Sequence, residues 1–338
     1  MQFRIPLLAL LLSTSGLAAA DIQSTTQPII GGTPSGAADD AVVLLVAFNQ
    51  QQSLSRTCTA TLVAPNLVLT ARHCVAAVSA GTYACASDGT LAEGPGGTVT
   101  ADRAPADLHV MPPGSALPTV TAAILASAPR GVRLFVPDDP DVCAGDLALL
   151  ELDRELSAPT VALRLDRPPA RGERFAAIGW GVTDSGPGLP AQRQRRDGVV
   201  TTRVGPKTQP GLGASEFEAG ESTCHGDSGG PAVAGNGAII GVAARGGNGT
   251  VDPANPARDC TDPGYRGTWT HLAAHRALIE NAFSEAGFVP LLDPAAPADD
   301  AGCSAAPASR NPRWPGPILT LVLALGLLIG RNRRRGLP

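Results

Sequence analysis

A chain of 338 residues, 43% hydrophobic but only 4% aromatic, has apolar material for one large or two small domains, with a core leaning on Val, Leu, Ile and Ala. Its 39 glycines and 31 prolines favour a loop-rich β protein over a helical one. A formal net charge of −4 leaves no electrostatic footprint for nucleic acid, and seven cysteines can form three pairs with one left over.

The N-terminus carries Arg4, an apolar run over 5–12 and the small residues Ala18-Ala19-Ala20. This is the pattern of a signal peptide, residues 1–20, and the run is too short to span a bilayer. Export places the cysteines in an oxidising compartment. Residues 21–28 then form a short segment ahead of Ile29-Ile30-Gly31-Gly32. A continuous apolar run over 41–48 and an alternation over 59–70, turned at Pro65-Asn66, predict the first strands and lead into Thr70-Ala71-Arg72-His73-Cys74. Residues 76–140 are rich in Ala, Pro, Gly and Thr and predict surface loops, with His109 solvated among them. Asp146 opens the strand-like alternation Leu147-Ala148-Leu149-Leu150-Glu151-Leu152. Further strands are expected over 175–182, 198–204 and 238–244, and the basic run Gln192-Arg193-Gln194-Arg195-Arg196 reads as a solvated loop open to proteolytic nicking. Leu272, Leu278, Ile279, Ala282 and Phe283 fall at near-helical spacing before Gly287 and predict a closing helix. His271 and His275 stand at i and i+4, but no Glu or third ligand accompanies them, so no metal site and no cofactor is expected.

The stretch with the most chemistry is Cys224-His225-Gly226-Asp227-Ser228-Gly229-Gly230-Pro231. Glycines on both sides of Ser228 let the chain turn sharply and let a carbonyl approach the backbone. The amides of Gly226 and Ser228 can then converge on a developing oxyanion. A serine hydroxyl also needs a base, and the base needs a carboxylate to orient it. His73 and Asp146 are the candidates.

These three motifs, in the order His, Asp, Ser, together with Ile29-Ile30-Gly31-Gly32 and Gly179-Trp180-Gly181, resemble the chymotrypsin/trypsin-like serine protease family over residues 29–288. The resemblance implies an all-β fold of two packed six-stranded antiparallel β-barrels with a short C-terminal helix and the site between the barrels. It implies a catalytic triad of His73, Asp146 and Ser228, and peptide or protein substrates. It implies that a new N-terminus at Ile29 pairs with Asp227. Here Pro28 precedes Ile29 where the family has Arg or Lys, so an activating protease of another kind is expected. The resemblance pairs Cys58 with Cys74 and Cys224 with Cys260. Cys85 and Cys143 remain as either a third bridge or two unrelated buried thiols. By motif, Ser222 forms the base of the primary pocket and Gly246 and Gly264 keep its walls open. The expected substrate side chain is therefore apolar or aromatic. Arg245 stands where the family has Trp, and either points to solvent or meets an acidic residue of the substrate. Ala244 replaces the usual Ser beside the catalytic Asp, and Asp262 near Gly264 is the one acid that would favour basic side chains.

Residues 289–316 are Pro- and Ala-rich and read as a linker containing Gly302-Cys303-Ser304. Residues 317–338 hold an apolar run over 318–329, a membrane-helix candidate, and the cluster Arg331-Asn332-Arg333-Arg334-Arg335. This resembles the myxobacterial C-terminal sorting tail, which implies sorting machinery, processing near Cys303 and retention at the cell surface or outer membrane. The competing functional reading is a protease-like binding module with weak or absent catalysis.

Overall fold

The computed structural model describes residues 29–49, 53–81, 83–114, 116–117, 120–159, 161–181, 190–205, 211–248, 258–261 and 264–293. The expected signal peptide, the segment 21–28 with Pro28, Asp262, Cys303, the apolar run 318–329 and the arginine cluster all lie outside these residues. Among the described residues no helix is long and apolar enough to cross a membrane.

Twelve strands form the body. In the N-terminal half they are β1 (Val42–Asn49), β2 (Ser53–Ala64), β3 (Leu67–Thr70), β4 (Leu108–Val110), β5 (Gly131–Phe135) and β6 (Ala148–Leu152). They make one antiparallel sheet in the order β5-β6-β3-β2-β1-β4. Its two edges approach each other through a single bridge, His109 to Arg130, beside a 2.9 Å bond from the Val110 amide to the Pro129 carbonyl. This half is therefore a curled sheet drawn together at one point. In the C-terminal half, β7 (Arg174–Gly179), β8 (Gln194–Val204), β9 (Glu216–Ala219), β10 (Pro231–Ala234), β11 (Ile239–Gly247) and β12 (Arg266–His271) run in the order β8-β7-β10-β11-β12-β9. Pairing of β9 back onto β8 closes this barrel of six, and Thr33–Pro34 adds a short strand beside β8.

Strand alternation fills each interior. Val43, Leu45, Ala60, Leu62, Val68, Leu108, Leu150 and their neighbours form the core of the first half. Phe175, Phe217 and Trp269 form an edge-to-face and stacked trio in the second, with centroids 5.1–6.1 Å apart. Helix α3 (Arg276–Glu285) buries Ile279, Ala282 and Phe283 against Leu67, Leu69, Leu147 and Leu149 of the first half. Its apolar positions are those read from the sequence. The chain stays fastened beyond the boundary expected at residue 288. The Asp293 amide donates to the Leu163 carbonyl, and its carboxylate accepts from Arg164, Arg167 and Asn236.

Two expectations of solvated polar groups fail. The basic run is not a solvated loop. Arg193 is fully buried, and its guanidinium donates to Ser35 Oγ, Asp40 Oδ1 and the carbonyls of Gly36, Val42 and Gly114. Gln194 already lies in β8. His109 is likewise not solvated: it is buried in β4, and burial lowers its pKa. Arg193 can be interior because its donors meet backbone carbonyls, which sequence polarity does not report.

Candidate active site

His73 sits on the one-turn helix α1 (Arg72–Val75), directly after β3. Asp146 follows α2 (Val142–Gly145), directly before β6. Since β3 and β6 pair through Ala148 and Thr70, the two turns are neighbours although 73 residues separate them. The His73 backbone N–H donates to Asp146 Oδ1 at 2.9 Å, and His73 Nδ1 lies 2.6 Å from Asp146 Oδ2. Among the described residues these are the only hydrogen bonds to this carboxylate, which is 2% accessible. Ala244 supplies none. Such a contact holds the imidazole as the tautomer protonated at Nδ1 and leaves Nε2 free to accept a proton. A disulfide joins Cys58 of β2 to Cys74, and its Cys74 Sγ lies 3.8 Å from His73 Nε2. A second joins Cys85, in the inserted segment between the triad motifs, to Cys143 of α2.

Ser228 enters from the other barrel on the turn before β10. Its carbonyl accepts from the Thr59 amide at 2.9 Å, while Thr59 Oγ1 donates to the Gly226 carbonyl and accepts from the Trp180 amide. Thr59 therefore ties the serine turn to β2, a role that nothing in its sequence context announced. Gly229 has φ +79°, and a Cβ there would lie 2.1 Å from Thr70 Oγ1 and 2.4 Å from the Thr59 carbonyl, so only glycine fits. Among the described residues the amides of Gly226 and Ser228 donate to no protein acceptor, and Ser228 Oγ makes no hydrogen bond to His73. The second contact commonly tightens only when substrate is bound.

Asp227, between those amides, is fully buried. Its carboxylate accepts from the amides of Gly181 at 2.7 Å, Cys224 at 2.9 Å and Ile29. A Cβ on Gly179 or Gly181 would fall 2.1–2.4 Å from this carboxyl group, which is why the Gly179-Trp180-Gly181 string brackets it. Burial pushes Asp227 up to about 7, against the opposing pull of the three amides. Ile29 is itself fully buried, at φ +46°, an unfavourable conformation for a β-branched residue. The sequence thus brings Ile29 and Asp227 together, with a backbone N–H at Ile29.

The primary pocket differs from expectation. Ser222 is fully buried, and its Oγ donates to the Gly220 carbonyl. Gly246 lines the cavity beside Ser228, but Gly264 does not. Gly264 is exposed, and no atom lies within 4 Å of where its Cβ would be. The register of β11 on β12 sets Gly267 beside Gly246, and a Cβ on either glycine would point at Tyr265. The slot they leave is not open: the ring of Tyr265 lies there. Arg245 follows neither expected course. Its guanidinium makes a bidentate ion pair with Glu216, which is fully buried, and lies over the Tyr83 ring with 5.6 Å to the centroid. It is therefore neither solvated nor free to meet a substrate acid.

The remaining residues near the cleft have settled roles. A third disulfide, Cys224–Cys260, spans the pocket. His225 is 55% accessible at the rim, 3.6 Å from Asp259. His271 Nδ1 caps the turn at Ala274, while burial holds His275 down to about 4 with its Nε2 lacking a partner. Two Cys-His groupings, at Cys58, His73 and Cys74 and at Cys224, His225 and Cys260, have their sulfurs tied up in disulfides and so offer no thiolate ligand.

Comparison with known proteins agrees with this geometry. A trypsin from Saccharopolyspora erythraea is 27% identical over 264 residues, 74% of this chain and 96% of that protein. Trypsin alpha-4 of Lucilia cuprina is 29% identical over 158 residues, and hypodermin-A of Hypoderma lineatum 30% over 147. These two matches take in 43% and 40% of this chain and about half of each relative, 57% and 52%. The family profile of the trypsin-like peptidase domain matches residues 58–242, more than half of the chain. On its fold, its site and that match, the chain belongs to the trypsin-like peptidase domain family.

Proposed function

We propose that this chain is an exported serine endopeptidase that cleaves peptide bonds through an acyl-enzyme intermediate. The observation that carries the reading is the closed His73–Asp146 contact facing a serine turn whose two amides are unused. Ser228 attacks the scissile carbonyl, and His73 takes the hydroxyl proton and returns it to the leaving amine. Asp146 orients His73 and stabilises the imidazolium. The amides of Gly226 and Ser228 receive the oxyanion. Among the described residues no carboxylate lines the pocket, and Arg245 there is already paired with Glu216, so a Lys or Arg side chain would find no counter-charge.

In this reading residues 1–20 direct export, 21–28 are removed, 29–288 hold the peptidase domain, and the linker and tail from 289 retain the protein at the surface through sorting at Cys303. Activation needs a protease that tolerates Pro28 before the cut. The physical reason for a switch lies in Asp227. A carboxylate buried with only amide donors is held near pH 7, and a new ammonium at Ile29 supplies its missing counter-charge. The test is to collect protein that hydrolyses peptides and sequence its N-terminus. Ile29 is expected; fully active material beginning at Asp21 would contradict the switch. The binding-module reading gains support from the filled slot, and absent hydrolysis by Ile29-terminated protein would select it.

The same group predicts a pH effect. In the uncut chain the folded-state value of Asp227, about 7, lies above the ordinary carboxylate value of about 4. The folded chain then binds this proton more tightly than the unfolded one, and stability falls as pH rises from about 4 through 7. Cutting before Ile29 is expected to remove that fall. Denaturation midpoints of cut and uncut protein between pH 5 and 8 check it; parallel profiles would count against the pair.

A further inference from the structure

We propose that Tyr265 sets the size of the primary pocket and restricts the residue before the scissile bond to glycine, alanine or serine. This rests on the serine-peptidase reading and adds the substrate class to it.

Gly246, which lines the pocket, and its cross-strand partner Gly267 have no side chains, which would ordinarily leave a slot for a substrate side chain. Here a Cβ on Gly246 would meet Tyr265 Oη at 2.3 Å, and one on Gly267 would meet the ring at 3.3 Å. The phenol therefore fills the space that the two glycines leave. Its hydroxyl donates to the Thr223 carbonyl at 2.7 Å and lies 2.9 Å from Thr223 Oγ1, next to Ser222. The ring thus occupies the slot from its walls toward its floor. Ile30 and the Cys224–Cys260 disulfide pack with it in one cluster.

Nothing about this ring invites it to swing away. Tyr265 is 8% exposed, and moving it would strip the buried Thr223 groups of their partner. Burial pushes its hydroxyl above the ordinary value, so it stays a neutral donor. The space that remains, about 160 Å³ opening at Ser228, is lined by His225, Ala244, Arg245, Gly246 and Tyr265. It must hold the main chain of the bound residue as well as its side chain. A methyl or hydroxymethyl fits there without displacing the phenol, whereas Leu, Phe or Arg would have to take its place.

The test is a peptide library varied at the residue before the cut, read as kcat/KM on protein beginning at Ile29, with fluorophosphonate labelling of Ser228 followed in parallel. Alanine is expected to exceed Leu, Phe and Arg by about tenfold or more, the scale on which pocket size discriminates side chains. Tyr265→Ala should reverse this, raising Phe and Leu over Ala by about tenfold. Tyr265→Phe keeps the ring and should keep the small-residue preference, which decides the matter if Tyr265→Ala does not fold. A labelled wild-type enzyme that prefers Phe, Tyr or Leu overturns the role of Tyr265. A wild-type protein that is neither labelled nor active overturns the peptidase reading instead.

Discussion

Ser228→Ala should lower peptide hydrolysis by about 10⁴- to 10⁶-fold while leaving the fold intact. The expectation of intact folding follows from the contacts. The turn is held by the Ser228 carbonyl on Thr59 and by the Gly229 and Gly230 amides on Ala243 and Asp227, none of which involves the Ser228 hydroxyl. His73→Ala should cost about as much as Ser228→Ala, and the double variant little more, because nucleophile and base act as one unit. Asp146→Asn keeps the shape but offers His73 the wrong hydrogen-bond partner, for a loss of about 10⁴-fold. Steady-state rates on one peptide, alongside thermal midpoints, check all four. Near-full activity in any of them would remove the mechanism.

Glu216→Ala should be the most damaging change outside the triad. Glu216 is fully buried, neutralises Arg245 and accepts from the Gly213 amide at 2.6 Å. Removing it strands a guanidinium that is only 20% accessible, and breaking one side of such a pair costs about 3–5 kcal/mol. At about 2–4 °C per kcal/mol for a domain of this size, the melting midpoint should fall by roughly 6–20 °C. Replacing both partners with leucine should recover much of the loss, since no charge is then left buried. A single variant that melts with the wild type would show that the pair is dispensable.

What was legible in the sequence was local. The string from Cys224 to Pro231 declares a tight glycine turn, and the continuous apolar run over 41–48 and the alternation over 147–152 declare strands that the fold contains. Helix α3 follows from its apolar spacing for the same reason. The meeting of His73 with Asp146 was not local, and only the family resemblance joined them before β3 and β6 did so in space. The pocket failed at register. The strand pairing sets Gly267, not Gly264, beside Gly246, and the irregularity between Ala243 and Arg245 moves that register by one residue, without which Arg266 would stand there. A strand slip of this kind leaves no mark on composition. Tyr265 was missed with it, because a tyrosine beside a glycine loop gives no sign that its ring turns inward. Arg193 and Arg245 were misread for the opposite reason: their charge suggested solvent, while carbonyls and Glu216 hold them inside.

The central claim is that Ser228 is a nucleophile activated by His73 once Ile29 is the N-terminus. Mass mapping of fluorophosphonate adducts on protein beginning at Ile29 tests it most directly. One adduct per chain on the peptide containing Ser228, absent from His73→Ala, is the expected result. An unlabelled Ser228 in that protein, or labelling that persists without His73, would contradict it.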